Sequence, residues 1–302
     1  MSDSPRMLPI VDPAAGGAPP IFEHIAIVGL GLIGGSIALA ARKAWPSALV
    51  IGVDRHDVLE KAMVRHAIDV AAPDLMIASE ADLVILAAPV GQIIDLLPRL
   101  ERYVGTDAVI TDVGSTKREI LEAARALPSR LPFVGGHPLA GAARSGFDVA
   151  RPDLFADRPW LFTASSNAQT EHLATLSAFV EALGARPVIV PSAEAHDRLV
   201  AFLSHLPQLA VSALMAVVGE GSGEEGLALA GRGLIDTTRL ASSPADVWQD
   251  VCRTNADEIG VALDRLIAAL QEIRHGLAEP ATIDRVFARA NEWRERLAST
   301  RS

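Results

Sequence analysis

From Ile21 to Pro191 the chain alternates short apolar runs rich in β-formers with longer segments of helical spacing. The runs IAIVGL, ALVIGVD, DLVILAAPV, AVITDVG and PFVGGH are separated by stretches such as IGGSIALAARKA and IIDLLPRLERY. Strands that are apolar throughout and spaced by helices build a parallel sheet covered on both faces, so an α/β domain is predicted here. PWLFTA and ARPVIVP, on either side of a helical stretch around EHLATLSAFVEAL, are expected to extend the same sheet. After Pro191 strand-like runs stop, and residues 192–302 read as an all-α domain.

Within that second half, DVWQDVCRTNADEIGVALDRLIAALQEIRHGL repeats apolar residues at helical spacing through Val247, Val251, Ile259, Leu263, Leu266 and Leu270. One long helix with a single buried face is predicted. So much apolar helix is expected to bury part of its surface against a second copy, which makes the C-terminal half a dimerisation domain and the protein a homodimer. Residues 1–20, MSDSPRMLPIVDPAAGGAPP, carry no apolar period and read as a flexible tail. Three segments result: the tail 1–20, the α/β domain 21–191 and the helical domain 192–302.

Two apolar stretches are long enough to raise a membrane span, IAIVGLGLIGGSIALAA (25–41) and LVAFLSHLPQLAVSALMAVVG (199–219). The first follows FEH and a Pro/Gly-rich leader rather than a basic region, and the second carries His205, Pro207 and Gln208 at mid-span. No targeting or spanning segment is assigned. A length of 302 residues agrees with two domains, and 50% apolar with 21% charged residues agrees with globular cores. The net charge of −10 excludes the broad basic surface that a nucleic acid or an anionic membrane requires, so an anionic ligand must be caught locally. Cys252 is the sole cysteine, which leaves no internal disulfide and no metal-ligand spacing and suits a reducing cytoplasm.

Chemistry enters with VGLGLIGGS. Gly29, Gly31 and Gly34 have the G-x-G-x-x-G spacing after a strand and at the start of a helix, and Asp54 ends the next strand 20 residues after Gly34. Gly29 would make the tight turn, Gly31 would let the backbone approach a pyrophosphate, and Gly34 would let helix and strand pack closely. Leu32 and Ile33 complete the loop over the helix N-terminus that takes the phosphates. The domain is therefore expected to be a Rossmann-type dinucleotide-binding domain. Asp54 argues for NAD over NADP by repelling a 2′-phosphate, while Arg55 would pair with that phosphate if Asp54 turned away.

Other candidates gather at the ends of predicted strands. Pro89 stops DLVILAAPV where ligands collect in such sheets. DVGSTK brings Asp112, Ser115, Thr116 and Lys117 to a strand end; Thr116 and Glu119 fit a capping box, leaving Ser115 to face a ligand. His137 ends PFVGGH at the same edge, where a histidine is a candidate general base. Its neighbours Gly135 and Gly136 are expected to admit backbone close to the ligand. In the helical half His196 and His205 are nine apart, about 180° around a straight helix, so they do not share a face unless Pro207 distorts it. Taken alone, His205 reads as a buried polar residue and His196 as a surface or interface one. His205 and Gln208 share a face. Gly231 and Gly233 read as a loop leading to Asp236 and Arg239.

Taken in order, VGLGLIGGS, DVGSTK, GGHPLAG, FLSHLP and GLIDTTRLASSPADVW make the chain resemble the prephenate/arogenate (cyclohexadienyl) dehydrogenases of tyrosine biosynthesis. The resemblance implies that His137 accepts the proton of a substrate ring hydroxyl and that Ser115 orients it. It further implies that Arg239 binds a substrate carboxylate, with His205, Gln208, Asp236 and Trp248 around the substrate, either prephenate or arogenate. The chain departs from the family pattern at Ala142-Ala143, where Thr-Glu is often found, and at Gln208, where a histidine is. Two other classes fit parts of the pattern: another two-domain reductase of an imine or 3-hydroxy acid, and a dinucleotide-binding regulator without turnover. The histidine of GGHPLAG and the arginine of DTTR count against the reductase.

Overall fold

The computed structural model describes residues 19–105, 107–142, 144–164 and 170–299, and the chain divides into two compact units, Met1–Ala193 and Glu194–Ser302. The tail expected over the first residues, up to 18, and Ala143 lie outside the described residues.

The first unit is built on one eight-stranded sheet. Its strands are β1 (His24–Val28), β2 (Leu49–Val53), β3 (Val70–Ala72), β4 (Leu83–Leu86), β5 (Val109–Asp112), β6 (Phe133–Pro138), β7 (Pro159–Ala164) and β8 (Arg186–Ile189), ordered β3-β2-β1-β4-β5-β6-β7-β8. The six strands from β3 to β6 are mutually parallel. β7 reverses against β6, and β8 runs parallel to β7. The expected extension by PWLFTA and ARPVIVP is present, with that reversal added.

Residue alternation divides the core between two faces. Ile25, Ile27, Leu83 and Ile85 point to one face, where α1 (Leu32–Ala44) and α5 (Thr170–Ala182) bring Ile37, Ala41, Leu176 and Phe179. Ala26, Val28, Val84 and Leu86 point to the other, under α3 (Val90–Leu96) and α4 (Arg118–Ala124) with Ile93 and Ile120. A sheet packed on both sides needs apolar residues at every position, which is why these strands read as unbroken apolar runs. The chain leaves β1 toward β2 on one side and returns as β4 on the other. Ligands of such sheets bind at the carboxyl ends of strands beside this reversal.

The second unit is helical: α6 (Ala193–Val200), whose first residue closes the first unit, α7 (Leu206–Leu227), α8 (Arg232–Thr238), α9 (Ala245–Thr254), α10 (Ala256–His275) and α11 (Pro280–Ser299). A π-helical turn, Ala201–His205, joins α6 to α7. Pro207 has no N–H for the carbonyl of Leu203, and a widened turn absorbs such a loss. The joined run Ala193–Leu227 is long and apolar enough to cross a membrane by length and composition, yet the side chains it buries include polar His196, Asp197, His205 and Gln208, while Leu203 and Val217 stand exposed.

Two sequence readings are corrected here. The single helix expected over residues 246–277 is two, because Asn255 leaves the helical region (φ −139°) and breaks α9 from α10. Its buried side is short as well: Val251 and Ile259 are buried with Ala201, whereas Val247 and Leu270 are exposed. The glycine loop expected before Arg239 is instead helix α8, with Gly231 as its N-cap and Gly233 inside it.

Candidate functional site

The glycine loop assigns a different task to each glycine. Gly29 adopts φ +96°, which L side chains rarely take, and a Cβ there would sit 2.6 Å from the carbonyl oxygen of Ala87 beyond β4. A Cβ on Gly34 would overlap the carbonyl oxygen of Gly29, so the packing of α1 on the turn requires its absence. On Gly31, the N-cap of α1, a Cβ would meet nothing within 4 Å. That glycine leaves open space over the helix N-terminus, where Leu32 and Ile33 form the first turn and no acidic side chain intrudes. An anionic pyrophosphate fits such a place.

Asp54 closes the loop. Its Oδ2 accepts the Leu30 amide at 2.6 Å and its Oδ1 accepts the Arg55 amide at 2.7 Å, so the carboxylate is fixed beside the turn with lone pairs remaining for a ribose diol. Arg55 is exposed and pairs with Asp57 at 3.4 Å. Pro89 is the exposed N-cap of α3, just past β4 and next to the same reversal. These residues suit a dinucleotide.

At the ends of β5 and β6 one buried carboxylate organises the neighbourhood. Asp112 accepts the Gly114 amide on Oδ2 at 2.7 Å and the Gly136 amide on Oδ1 at 3.0 Å, and it pairs with Lys117 Nζ, both side chains being buried. The loop carrying half-buried Ser115 and the strand carrying His137 thus hang from the same group. Burial pushes the Asp112 carboxyl above its ordinary value, while Lys117 and the two amides pull it back. A buried pair of this kind contributes little net stability, because desolvation offsets attraction, but it holds a geometry.

Two expectations change here. α4 begins at Arg118 with Lys117 as its N-cap, one residue beyond where a Thr116–Glu119 capping box starts a helix; Lys117 is drawn inward to Asp112, and Thr116 is buried. Gly135 and Gly136 lie in the regular strand β6, where they leave room for other groups. A Cβ on Gly135 would be 2.9 Å from Lys117 Cδ, and one on Gly136 would be 2.5 Å from the Asp112 carbonyl oxygen. The space they provide is for the lysine and the neighbouring strand, not for a ligand.

In the helical unit, His196 is buried and its Nδ1 lies 2.8 Å from Asp197 Oδ1, which corrects the surface reading; the long imidazole is accommodated by its acidic neighbour. The π turn removes the straight-helix argument that separated His196 from His205. His205 is buried, packs edge-on against Trp248 at 6.0 Å, and sits 3.2 Å from Asn255 Nδ2. Gln208 is a brace: its amide donates to Leu240 O at 2.8 Å and Ser212 Oγ at 3.3 Å, and accepts Ser243 Oγ at 3.1 Å. Both of its N–H donors are engaged, and through Leu240 it holds the 3₁₀ turn Arg239–Ser242. Arg239 and Asp236 are exposed. Sequence reasoning missed Asn255, Asp197 and the Asp112–Lys117 pair as organisers, since spacing alone does not show which polar residues become buried.

The chain matches two family models, "prephenate dehydrogenase, nucleotide-binding domain" over residues 37–189 and "prephenate dehydrogenase, dimerization domain" over residues 192–289. It is 33% identical over 283 residues to a prephenate dehydrogenase of Bacillus subtilis, covering 91% of this chain and 76% of that one. Arogenate dehydrogenase of Synechocystis superposes with a TM-score of 0.77 at 31% identity, covering 91% and 99% of the two chains. Prephenate dehydrogenase of Aquifex aeolicus, solved with hydroxyphenyl propionate and NAD+, superposes with a TM-score of 0.82 at 25% identity, covering 92% and 98%.

Proposed function

The chain belongs to the prephenate dehydrogenase family, and from that premise we propose that it oxidatively decarboxylates prephenate, arogenate or both in tyrosine biosynthesis. The single observation that carries this reading is Asp112, which ties the Ser115 loop and the His137 strand together beside a dinucleotide loop. The protein is an NAD-dependent oxidoreductase. When bound, the dinucleotide supplies the hydride acceptor. His137 takes the proton of the ring hydroxyl as the carbinol carbon is oxidised, and Ser115 orients that hydroxyl. The ring carboxylate then leaves as CO₂, and aromatisation makes the reaction irreversible. Arg239 binds a substrate carboxylate through its planar fork, a local cation on a chain of net charge −10. Asp236, His205 and Trp248 are the helical unit's further substrate-binding residues, and Gln208 braces the turn that bears Arg239. The test of the activity is NADH formation from each substrate in turn; absence of turnover with both would reject it.

Two further expectations belong to this reading. Arg239→Gln keeps a polar side chain but removes the charged fork, and should raise the apparent substrate KM about 10- to 100-fold, the loss of a charge-assisted bond. Steady-state kinetics distinguishes this from a defect confined to kcat, which would contradict a carboxylate clamp. We read the cofactor as NAD in preference to NADP. Asp54→Asn preserves an acceptor for Leu30 while removing the charge, and should shift the NAD/NADP ratio of kcat/KM about tenfold toward NADP. An unchanged ratio would deny Asp54 that role.

We read the protein as a homodimer joined through its helical unit. Exposed Leu203, Val217, Phe287 and Trp293 are the large apolar side chains such an interface would cover. With Cys252 the sole cysteine and nothing that calls for an oxidising compartment, the cytoplasm is its place of work.

A further inference from the structure

The helical unit buries polar groups whose part in the reaction is not yet accounted for. Asn255, fully buried at the break between α9 and α10, donates from Nδ2 to the main-chain oxygen of Asp197 at 2.9 Å, and the same nitrogen lies 3.2 Å from His205 Nδ1. A carbonyl oxygen only accepts, so the atom facing it is the amide nitrogen, and the chain itself fixes which way Asn255 points. The second N–H of that nitrogen is then directed at His205 Nδ1, which must accept. A neutral imidazole that accepts at Nδ1 carries its proton on Nε2. His205 Nε2 is buried and meets no acceptor among the described residues.

Charge state and surroundings agree with this assignment. Burial holds His205 down at about 4, with Asp197 pulling it up and His196 pushing it further down, so the ring is neutral at neutral pH. The edge-on contact with Trp248 limits the orientations the ring can take. A buried N–H without an acceptor is unfavourable, whereas a charged acceptor makes the stronger class of hydrogen bond.

We propose that Asn255 is a positioning residue that sets His205 as an Nε2–H donor, kept for a carboxylate oxygen of the substrate. The identity of that ligand rests on the dehydrogenase reading; the tautomer does not. His205 therefore differs from His137 in kind: it donates a hydrogen bond and takes no proton.

The tautomer can be read without any assay of activity. Nitrogen-15 NMR of the full chain with labelled histidine, His205 being assigned through His205→Gln, should show the proton on Nε2 and a bare Nδ1 near neutral pH. A proton on Nδ1, or on both nitrogens, would overturn the assignment. Asn255→Asp replaces the donor that faces His205 with an acceptor, at the cost of the bond to the Asp197 carbonyl, so it should bring the proton to Nδ1. The prephenate KM should then rise about 10- to 100-fold while kcat changes by less than about threefold. A moved proton with unchanged KM would overturn the substrate-facing role, and a raised KM with the proton still on Nε2 would reduce Asn255 to a structural part. A wild-type chain that turns over neither prephenate nor arogenate would remove the ligand half of the proposal together with the functional reading, and leave the tautomer to the NMR result.

Discussion

Replacing His137 with asparagine is expected to lower turnover by about 10²- to 10⁴-fold, the usual contribution of a positioned general base. Asparagine keeps hydrogen-bonding capacity at the end of β6 but has no nitrogen that can take a proton. The backbone should be undisturbed, because the Gly136 amide that binds Asp112 is contributed by the preceding residue. Dinucleotide affinity should also survive, since Gly29, Gly31, Gly34 and Asp54 are untouched. The decisive measurement is kcat beside a dinucleotide titration. Turnover within about threefold of the parent would remove His137 from the role of base, and a parallel loss of dinucleotide binding would point to a structural cause.

The second large effect is on stability. Lys117→Met removes the cation of the buried pair and leaves the Asp112 carboxylate facing a fully buried site with two amides for company. Breaking a buried pair from one side costs about 3–5 kcal/mol, a large share of the ~5–15 kcal/mol by which domains are stable. Adding Asp112→Asn should restore most of that stability, because an uncharged pair needs no compensation. Activity should nevertheless stay low in the double variant. An amide offers one acceptor oxygen where the carboxylate offers two, so the Gly114 and Gly136 amides can no longer both be held. Denaturant midpoints of the parent, single and double variants test this; a single variant within about 1 kcal/mol of the parent would show that the pair is dispensable.

Much of the nucleotide half was legible because its signals are local. The run from IAIV through three glycines to Asp54 is one βαβ unit, and each residue's task follows from backbone geometry that glycine spacing imposes. The apolar strands were equally plain, since burial on both faces leaves no alternation to misread. What escaped was set by contacts between distant segments. Nothing near Asn255 in sequence announces a helix break; at the break stands an amide that serves Asp197 and His205, 58 and 50 residues away. Gly135 and Gly136 looked like ligand-side glycines because the groups they accommodate, Lys117 and the Asp112 carbonyl, are 18 and 24 residues upstream. Thr116 had the spacing of a cap, yet the helix starts one residue later, at Arg118, beside the lysine that turns inward to Asp112.

The shared hold on Gly114 and Gly136 also bears on precision. Had Ser115 and His137 each been placed by its own loop, their thermal displacements would be independent and would add in the distance between them. Both backbones are instead tied to Asp112, so a displacement of that anchor carries the two together and leaves their separation nearly constant. A misplacement of 1 Å in a reacting geometry costs on the order of 10²-fold in rate. A common anchor lets the carboxyl edge of the sheet fluctuate as a body without exacting that cost.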